Sequence, residues 1–439
     1  MADSTRRELI GQASLAAGLT ALGGVWSSRS IAQSKSPNEK LNIGCIGIGG
    51  QGASDVGNVS SQNIVALCDV DAERGGLNFE RYSQAKRYTD FRKLLEQKDI
   101  DAVTVSIPDH NHAVATAMAL HAGKHVYCQK PLTHSVAEAR YITHLAAKTK
   151  LATQMGTQGH AFPSYTRLVE LIESGAIGSV TQVHVWTDRP SGWWPQPVTA
   201  PTGNTAPPST LDWNQWLGPA QERSYNKAYL PFIWRGWWDF GTGALGDMAC
   251  HLMDPVFWSL KLSYPTSVEA TSEGATKDGP PTWAVINYDF PKRGKLPPVR
   301  VTWYDGKKRY PEALLNGEKV PPIDNGSLFI GDKGALIVNH GSDPILLPTA
   351  KFADFKGPTP YLKRSPGHHL EWIEACKNGS PTGSNFGYAG PMTEAILLGN
   401  VAIRVGRKIN YDSRNMHAVG DPEADALLRP AYRPGWNLP

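Results

Sequence analysis

Three polar residues in two short segments carry most of the chemistry that this sequence offers. Asp247 and His251 are four residues apart in a segment with helical periodicity, so their side chains share one helical face. A carboxylate beside an imidazole orients the ring and raises its affinity for a proton, as a general base requires. Lys130 follows an apolar run and precedes Pro131, a position from which it can contact a substrate. We predict acid–base chemistry at Asp247 and His251.

The same residues also fit less specific roles. Asp247 and His251 could be two ligands of a metal ion, but no third ligand lies near them in the sequence, and we predict no metal site. They could also form a buried structural pair, with Asp247 capping the helix N-terminus. Lys130 could be an ordinary surface lysine before a loop.

A glycine-rich segment begins where the first apolar run ends. Gly47, Gly49 and Gly52 have G-x-G-x-x-G spacing, which lets a chain turn tightly from a strand and bring bare backbone close to a pyrophosphate. The next apolar run ends at Asp69, where a carboxylate can bind the ribose hydroxyls of NAD; a second acid follows two residues later. The acid favours NAD, and the nearby Arg74 leaves NADP open. A structural turn is the alternative interpretation. The predicted cofactor contacts here are Gly47, Gly49, Gly50, Gln51, Gly52 and Asp69.

The region up to residue 157 alternates short apolar runs with amphipathic segments. The apolar runs occupy residues 41–47, 63–69, 102–107, 125–129 and 152–157. Strands separated by helices indicate a parallel, doubly wound sheet, which binds ligands at the carboxyl ends of its strands. The strand ends add Pro108, His112, Gln129 and Lys130 to the predicted cofactor site. For His112, capping the next helix is an equally good interpretation.

After residue 157 the pattern changes. Nine of the fourteen tryptophans lie between Trp186 and Trp258, in a stretch rich in proline and glycine. Flat indole faces match the C–H faces of sugars, so a carbohydrate cleft is one interpretation, and core or dimer packing is the other. From residue 266 onward the pattern is that of an antiparallel sheet, and two helices follow it. The candidate substrate contacts in the loops are His160, Arg235, Trp237 and Trp238.

Charge and composition restrict the class of protein. The net charge of +4 over 439 residues is small and dispersed, so we predict no nucleic-acid partner. Residues 1–32 contain paired arginines, a mildly apolar stretch and small residues before Ala32, which is the layout of a twin-arginine export signal; a charged, frayed N-terminus is the alternative. The apolar stretch is too short and interrupted for a permanent membrane span. We predict a periplasmic or other extracytoplasmic protein with no membrane anchor in its mature form.

Export bears on the cofactor and on the cysteines. No free nicotinamide pool exists outside the cytoplasm, so an exported NAD protein should hold its cofactor tightly or run redox-neutral chemistry. Cys45, Cys68 and Cys128 lie in strand-like apolar runs, which is typical of free, buried cysteines rather than of a disulfide framework.

The order of these motifs resembles the Gfo/Idh/MocA oxidoreductases. The shared features are the glycine loop, the Pro-x-x-x-His strand end, the Lys-Pro loop and the Asp-x-x-x-His helix, over about residues 41–411. The resemblance implies a Rossmann domain at 41–157 and, at 158–411, an α/β domain whose open, mainly antiparallel sheet binds substrate and mediates a dimer or tetramer. Residues 33–40 are then a linker, and 412–439 an extended tail.

The resemblance also implies roles for single residues. Lys130 corresponds to a lysine that contacts substrate and nicotinamide, His251 to the catalytic base, Asp247 to its partner and His112 to a histidine near the cofactor. The family usually has glutamate before the lysine, whereas this chain has Gln129, which cannot provide a counter-charge.

Together these observations predict an NAD(H)-dependent oxidoreductase that acts on a secondary hydroxyl of a sugar or glycoside. One alternative is a redox-neutral glycoside hydrolase or lyase that oxidises C3 transiently and then returns the hydride. A second alternative is a non-catalytic, cofactor-bound sugar sensor.

Overall fold

The computed structural model describes Glu39–Pro439, so the predicted export signal and most of the predicted linker lie outside the described residues. The first part of the chain builds a six-stranded sheet in which all neighbouring strands are parallel. Its strands are β1 (Asn42–Ile46), β2 (Asn63–Cys68), β3 (Lys86–Tyr88), β4 (Ala102–Val105), β5 (His125–Cys128) and β6 (Thr153–Met155).

The strand order β3-β2-β1-β4-β5-β6 is that of a dinucleotide-binding Rossmann sheet, and it confirms the predicted parallel architecture. Strand β3 was not predicted, because only three residues of it pair with β2 and they follow a segment with helical periodicity. The helices of this region are α1 (Gln51–Asn58), α2 (Gly76–Arg81), α3 (Phe91–Leu95), α4 (Asp109–His121) and α5 (Val136–Thr149).

A second, nine-stranded sheet follows. Its strands are β7 (Val180–Trp186), β8 (Ser267–Glu273), β9 (Trp283–Phe290), β10 (Val299–Tyr304), β11 (Gly326–Gly331), β12 (Ala335–Asn339), β13 (Ile345–Leu347), β14 (Ile409–Asp412) and β15 (His417–Ala418). Their order is β13-β12-β11-β7-β10-β9-β8-β14-β15, and every neighbouring pair except β7 and β10 is antiparallel. The predicted open, mainly antiparallel sheet is confirmed.

The remaining helices lie after the first sheet in the chain. They are α6 (Pro163–Glu173), α7 (Trp213–Leu217), α8 (Gly243–Leu252), α9 (Asp254–Leu260), α10 (His368–Asn378), α11 (Phe386–Val405) and α12 (Pro422–Leu428). Helix α10 follows the second sheet in the chain, yet its Trp372, Ile373 and Cys376 join the core of the Rossmann region around Ile43. The chain therefore returns to its first domain after residue 157.

The tail differs from the prediction of an extended segment. It forms strand β15 and helix α12, whose N-terminus is capped by the Asp421 carboxylate through the Ala424 amide. All five cysteines are free and buried, as predicted for Cys45, Cys68 and Cys128. Within Glu39–Pro439, no helix has the length and apolar character needed to cross a membrane.

Candidate active site

The glycine loop packs so tightly that a side chain is excluded at both of its ends, Gly47 and Gly52. Gly47 has φ of 78°, and a Cβ atom there would lie 2.3 Å from the Ser106 carbonyl oxygen. A Cβ at Gly52 would lie 2.1 Å from the Gly47 carbonyl oxygen, so only glycine lets helix α1 start this close to strand β1. The bare loop and the amides at the start of α1 form a cradle suited to a pyrophosphate.

The carboxylate of Asp69 is held at the edge of this loop. Its two oxygens accept hydrogen bonds from the backbone amides of Ile48 (2.9 Å) and Asp71 (3.0 Å). Burial raises the pKa of Asp69, and the hydrogen bond from the Ile48 amide opposes that rise. Asp69, Asp71 and Arg74 all line the cleft at this end, where a ribose would lie.

One cleft of about 470 Å³ connects the glycine loop with the predicted catalytic residues. Lys130 enters it from the end of strand β5, His251 from helix α8, and Arg235 from a 3₁₀ turn over Ile233–Gly236. The structure thus brings together residues that lie more than a hundred positions apart in the sequence. Other predicted residues that line the cleft are Gly47, Gly49, Gly50, Gln51, Asp69, Pro108 and Gln129.

Asp247 has different partners from those predicted. Its Oδ1 accepts hydrogen bonds from Lys130 Nζ (2.7 Å) and Arg235 Nε (3.1 Å), and Lys130 also donates to the Asp247 carbonyl (3.0 Å). Burial alone would raise the pKa of Asp247, but Lys130 and Arg235 hold it well below its usual range. In the described residues no hydrogen bond joins this carboxylate to His251. Asp247 and His251 do lie four residues apart on one helix, but the two cations take the place of the imidazole as partners of the carboxylate.

His251 is held in its neutral form, which is the form that a general base needs. Burial is the main cause that lowers the pKa of His251 well below its usual value, and the positive charge of Lys130 is the second. Its Nδ1 is sealed inside the protein with no hydrogen-bond partner among the described residues, while the ring lines the cleft. The ring of His340 lies 5.6 Å from it, centroid to centroid. A neutral imidazole open to the cleft beside an ammonium group can remove a proton from a bound hydroxyl.

His112 neither caps its helix nor reaches into the cleft. Its Nδ1 and Nε2 each lie 2.7 Å from a carbonyl oxygen, of Pro131 and Ile107 respectively. Carbonyls only accept hydrogen bonds, so both ring nitrogens must carry protons and the ring is cationic. Burial opposes that charge, but Cys128, Asp109 and the Pro131 carbonyl outweigh it and raise the pKa of His112 to about 9. The cation ties together the loops after β4 and β5, next to the cis Lys130–Pro131 bond.

Gln129 belongs to a buried network that the sequence did not reveal. Its Nε2 donates to both carboxylate oxygens of Asp55, at 2.9 and 3.1 Å. Asp55 also accepts hydrogen bonds from Ser106 Oγ (2.7 Å) and His369 Nε2 (3.0 Å), and its side chain is fully buried. The network links helix α1 of the glycine loop to strand β5 and helix α10. The sequence signals of this network were an acid inside α1, Asp55, and the glutamine at position 129 where the family usually has glutamate.

Three of the four predicted substrate contacts lie outside the cleft. His160 hydrogen-bonds Asp254 through Nδ1 (2.9 Å) and stacks on Trp258; burial lowers the pKa of His160, but Asp254 outweighs it and the net shift is upward. Trp237 is buried in an aromatic cluster, and Trp238 donates to the Thr276 carbonyl facing a separate cavity.

Only Arg235 of those four lines the cleft, which also includes Trp234 from the same turn, Phe232 from just before it and Trp216 from helix α7. The turn ends at Trp237, whose backbone is extended, and neither Trp237 nor Trp238 lines the cleft.

A loop of the second region closes over the ribose end of the cleft. The Ala72 amide donates to the Thr210 carbonyl (2.9 Å), and the Asp212 amide donates to the Val70 carbonyl (2.8 Å). Leu211 sits between these two bonds and lines the cleft. We call residues 210–212 the strap.

The sequence matches two family models. Residues 41–157 match the Gfo/Idh/MocA "oxidoreductase family, NAD-binding Rossmann fold", and residues 165–297 match that family's "C-terminal alpha/beta domain". The glycine cradle and Asp69 carboxylate fit the NAD that the first description names.

Among curated relatives, inositol 2-dehydrogenase of Salmonella typhimurium is 32% identical over 150 residues, or 33% of this chain. Inositol 2-dehydrogenase 1 of Saccharopolyspora erythraea is also 32% identical over 150 residues, again 33% of this chain. These matches span 45% and 44% of the relatives' own lengths, respectively.

Solved structures resemble most of this chain in fold. The WlbA dehydrogenase of Bordetella pertussis, in complex with NADH and UDP-GlcNAcA, has a TM-score of 0.59 at 17% identity, covering 85% of this chain and 99% of that one. The aldose–aldose oxidoreductase of Caulobacter crescentus has a TM-score of 0.55 at 17% identity, covering 85% and 100%. With both of its domain models matched in order, the chain belongs to the Gfo/Idh/MocA oxidoreductase family.

Proposed function

We propose that the protein is an NAD(H)-dependent oxidoreductase that acts on a secondary hydroxyl of a sugar or glycoside. The observation that carries the proposal is the shared cleft, in which Lys130 and a neutral His251 face the same space as the glycine loop. NAD, when bound, supplies a hydride acceptor. His251 takes the hydroxyl proton, and the Lys130 ammonium donates a hydrogen bond to the same oxygen as negative charge develops on it.

The lining of the cleft supports a carbohydrate substrate. Phe232, Trp234 and Trp216 offer flat apolar surfaces beside the polar groups of Lys130 and Arg235, a combination suited to the two faces of a sugar ring. The related proteins named above are inositol, aldose and nucleotide-sugar enzymes.

A histidine variant tests the catalytic assignment. His251→Ala should reduce NADH formation from sugars by roughly 100- to 10,000-fold without reducing NADH affinity, because the ring acts on the substrate proton. His121 is an exposed histidine on helix α4, and His121→Ala is the matched control. Normal turnover in the His251 variant would refute the role of His251 as base.

The strap supports a second candidate function. A loop hydrogen-bonded over the ribose end slows cofactor exchange, and a cofactor that stays bound suits a redox-neutral glycoside hydrolase or lyase. Hydrolysis of a nitrophenyl glycoside without added NAD tests the redox-neutral reaction.

We also propose that the chain is exported with NAD already bound, and that it forms a dimer or tetramer. Light scattering tests the oligomeric state.

Cofactor retention is directly measurable. Protein purified from the periplasm without added NAD should release close to one dinucleotide per chain on denaturation. Asp212→Pro removes the amide that donates to Val70, at a φ of −79° that proline accepts, and should speed NADH release roughly 2- to 10-fold. Asp212→Ala keeps the amide and loses only the helix cap, so it is the matched control. Equal release rates in both variants would exclude a retaining role for the strap.

A further inference from the structure

Arg235 is held more rigidly than its roles so far require. Its guanidinium lies 4.2 Å from the ring centroids of both Phe232 and Trp234. Its Nε donates to Asp247 Oδ1 (3.1 Å), and its Nη1 donates to the Phe232 carbonyl (3.2 Å). Contacts to two rings and two oxygens fix the plane of the guanidinium, so little side-chain entropy is left to lose on binding a ligand.

One edge of the guanidinium is left without a partner. Among the described residues, no acceptor pairs with Arg235 Nη2, and Nη1 uses one of its two protons. The side chain is 18% exposed and lines the cleft. Phe232, on one side of it, is 39% exposed, so this end of the cleft is open to an incoming molecule. The free edge presents parallel N–H donors of the kind that bind a planar anion.

The surrounding charges leave one positive charge uncompensated. Lys130 and Arg235 share a single carboxylate oxygen, that of Asp247. Asp109 also lines the cleft near these groups; burial raises its pKa, and the charges of His112, Arg235 and Lys130 oppose that rise, His112 most strongly. Asp109 therefore balances the cationic His112, which leaves Asp247 as the counter-charge of Lys130 and Arg235. His251 is neutral. A mostly buried group of two cations and one anion therefore favours a ligand that brings one negative charge.

We propose that Arg235 determines specificity by binding a carboxylate of the substrate, so that sugar acids are preferred over neutral sugars. A carboxylate matches the free edge in shape and the single excess positive charge in magnitude. A phosphate monoester carries nearly two negative charges and would leave one of them uncompensated. This proposal rests on the proposed oxidoreductase function and specifies its substrate class.

The test compares substrates that differ only at the proposed contact. Methyl β-D-glucopyranosiduronate and methyl β-D-glucopyranoside share their ring hydroxyls, and methyl β-D-glucopyranoside 6-phosphate provides a phosphate. We expect the wild-type kcat/KM for NADH formation to be roughly 10- to 100-fold higher for the uronate than for the glucoside, the value of a charge-assisted pair. Arg235→Gln should reduce that ratio to about one. Because the ratio is taken within one variant, a general loss of activity cancels.

Two further variants make the result specific. Arg235→Lys keeps the charge but not the two parallel donors, and should give an intermediate ratio. Arg189 stacks on Trp193 and pairs with Asp188 outside the cleft, so Arg189→Gln should keep the wild-type ratio. An unchanged ratio in Arg235→Gln, or equal rates on both substrates in the wild type, overturns the proposal. A preference for the phosphate also overturns it.

A binding measurement separates this proposal from the proposed function. Calorimetry on the NADH-loaded protein should show D-glucuronate binding more tightly than D-glucose, and Arg235→Gln should remove the difference. Uronate binding with no hydride transfer from any sugar would refute the oxidoreductase function and leave the carboxylate site standing. Oxidation of sugars with equal affinity for acid and neutral forms would refute the carboxylate site and leave the oxidoreductase function standing. A fall in NADH affinity alone would assign Arg235 to the cofactor and overturn the proposal.

Discussion

Two buried aspartates near the cleft satisfy their carboxylates in opposite ways. Asp55 in helix α1 accepts hydrogen bonds from Ser106, Gln129 and His369 and sits beneath the glycine loop. Asp247 in helix α8 is held by the cations of Lys130 and Arg235. Hydroxyl, amide and imidazole donors fix the backbone around the first. The second holds together two charges that a substrate can also contact.

The two aspartates are contacted by two neighbouring residues of the chain. Gln129 turns to Asp55 and Lys130 turns to Asp247, so one strand end serves both aspartates. A glutamate at position 129 would place a second carboxylate about 3 Å from that of Asp55, where only one of them could stay ionised. The glutamine is therefore the residue type that this buried site accepts, and Lys130 finds its counter-charge elsewhere.

Removing the charge of Asp247 should have the largest effect on stability. Asp247→Asn leaves two mostly buried cations without a counter-charge, and we expect the free energy of unfolding to fall by about 3–5 kcal/mol. Among the described residues, no lysine or arginine hydrogen-bonds the Asp55 carboxylate, so Asp55→Asn should cost only about 1–3 kcal/mol. Urea unfolding of both variants measures the difference. Equal losses would mean that the two aspartates do not differ as their contacts indicate.

Gln129→Glu should have the next largest effect, about 3 kcal/mol of unfolding free energy, because it places two carboxylates in contact in a buried site. Asp55→Asn in the same chain restores a carboxylate–amide pair with donor and acceptor exchanged. We expect the double variant to recover most of the loss, with a coupling energy of about 1–3 kcal/mol in a double-mutant cycle. Additive losses would show that Gln129 and Asp55 are not coupled.

The contrast between the two aspartates also shows what sequence reasoning could reach. The glycine loop and Asp69 were predictable because their chemistry lies in a contiguous backbone motif and the strand that follows it. Lys130 and His251 were placed in the cleft because each sits on a regular element with a readable end. The partner of Asp247 was not predictable, because a lysine 117 residues away competes for the carboxylate.

The sequence also did not show which loop side chains face the cleft. Arg235 was predicted as a substrate contact and lines the cleft, whereas Trp237, two residues later, points into an aromatic cluster. A 3₁₀ turn over Ile233–Gly236 decides which side chains face the cleft, and no periodicity marks such a turn in the sequence. His369 was missed for a related reason: its helix follows the second sheet but packs against the first.

A smaller effect should follow from removing one donor to Asp55. His369 stacks on Tyr127 at 4.5 Å, so His369→Phe keeps the stack and loses only the hydrogen bond. We expect a loss of about 1.5–2 kcal/mol of unfolding free energy. His369→Gln restores an N–H donor and should recover part of it. A phenylalanine variant as stable as the wild type would show that the other donors suffice for Asp55.

The smallest effect concerns the pH dependence of the stability that Asp247 contributes. Its folded pKa is depressed, chiefly by Lys130 and Arg235 acting against burial, so its stabilising contribution is complete above the unfolded pKa of about 3.9 and is lost as pH falls toward the folded pKa. Protonation of the unfolded carboxyl alone removes about 0.3 kcal/mol at pH 4 and about 1.3 kcal/mol at pH 3. The stability difference between wild type and Asp247→Asn, measured by urea unfolding, should therefore be constant from about pH 6 to 5 and shrink by these amounts below. A difference that stays constant down to pH 3 would mean that the two cations do not hold Asp247 ionised in the folded protein.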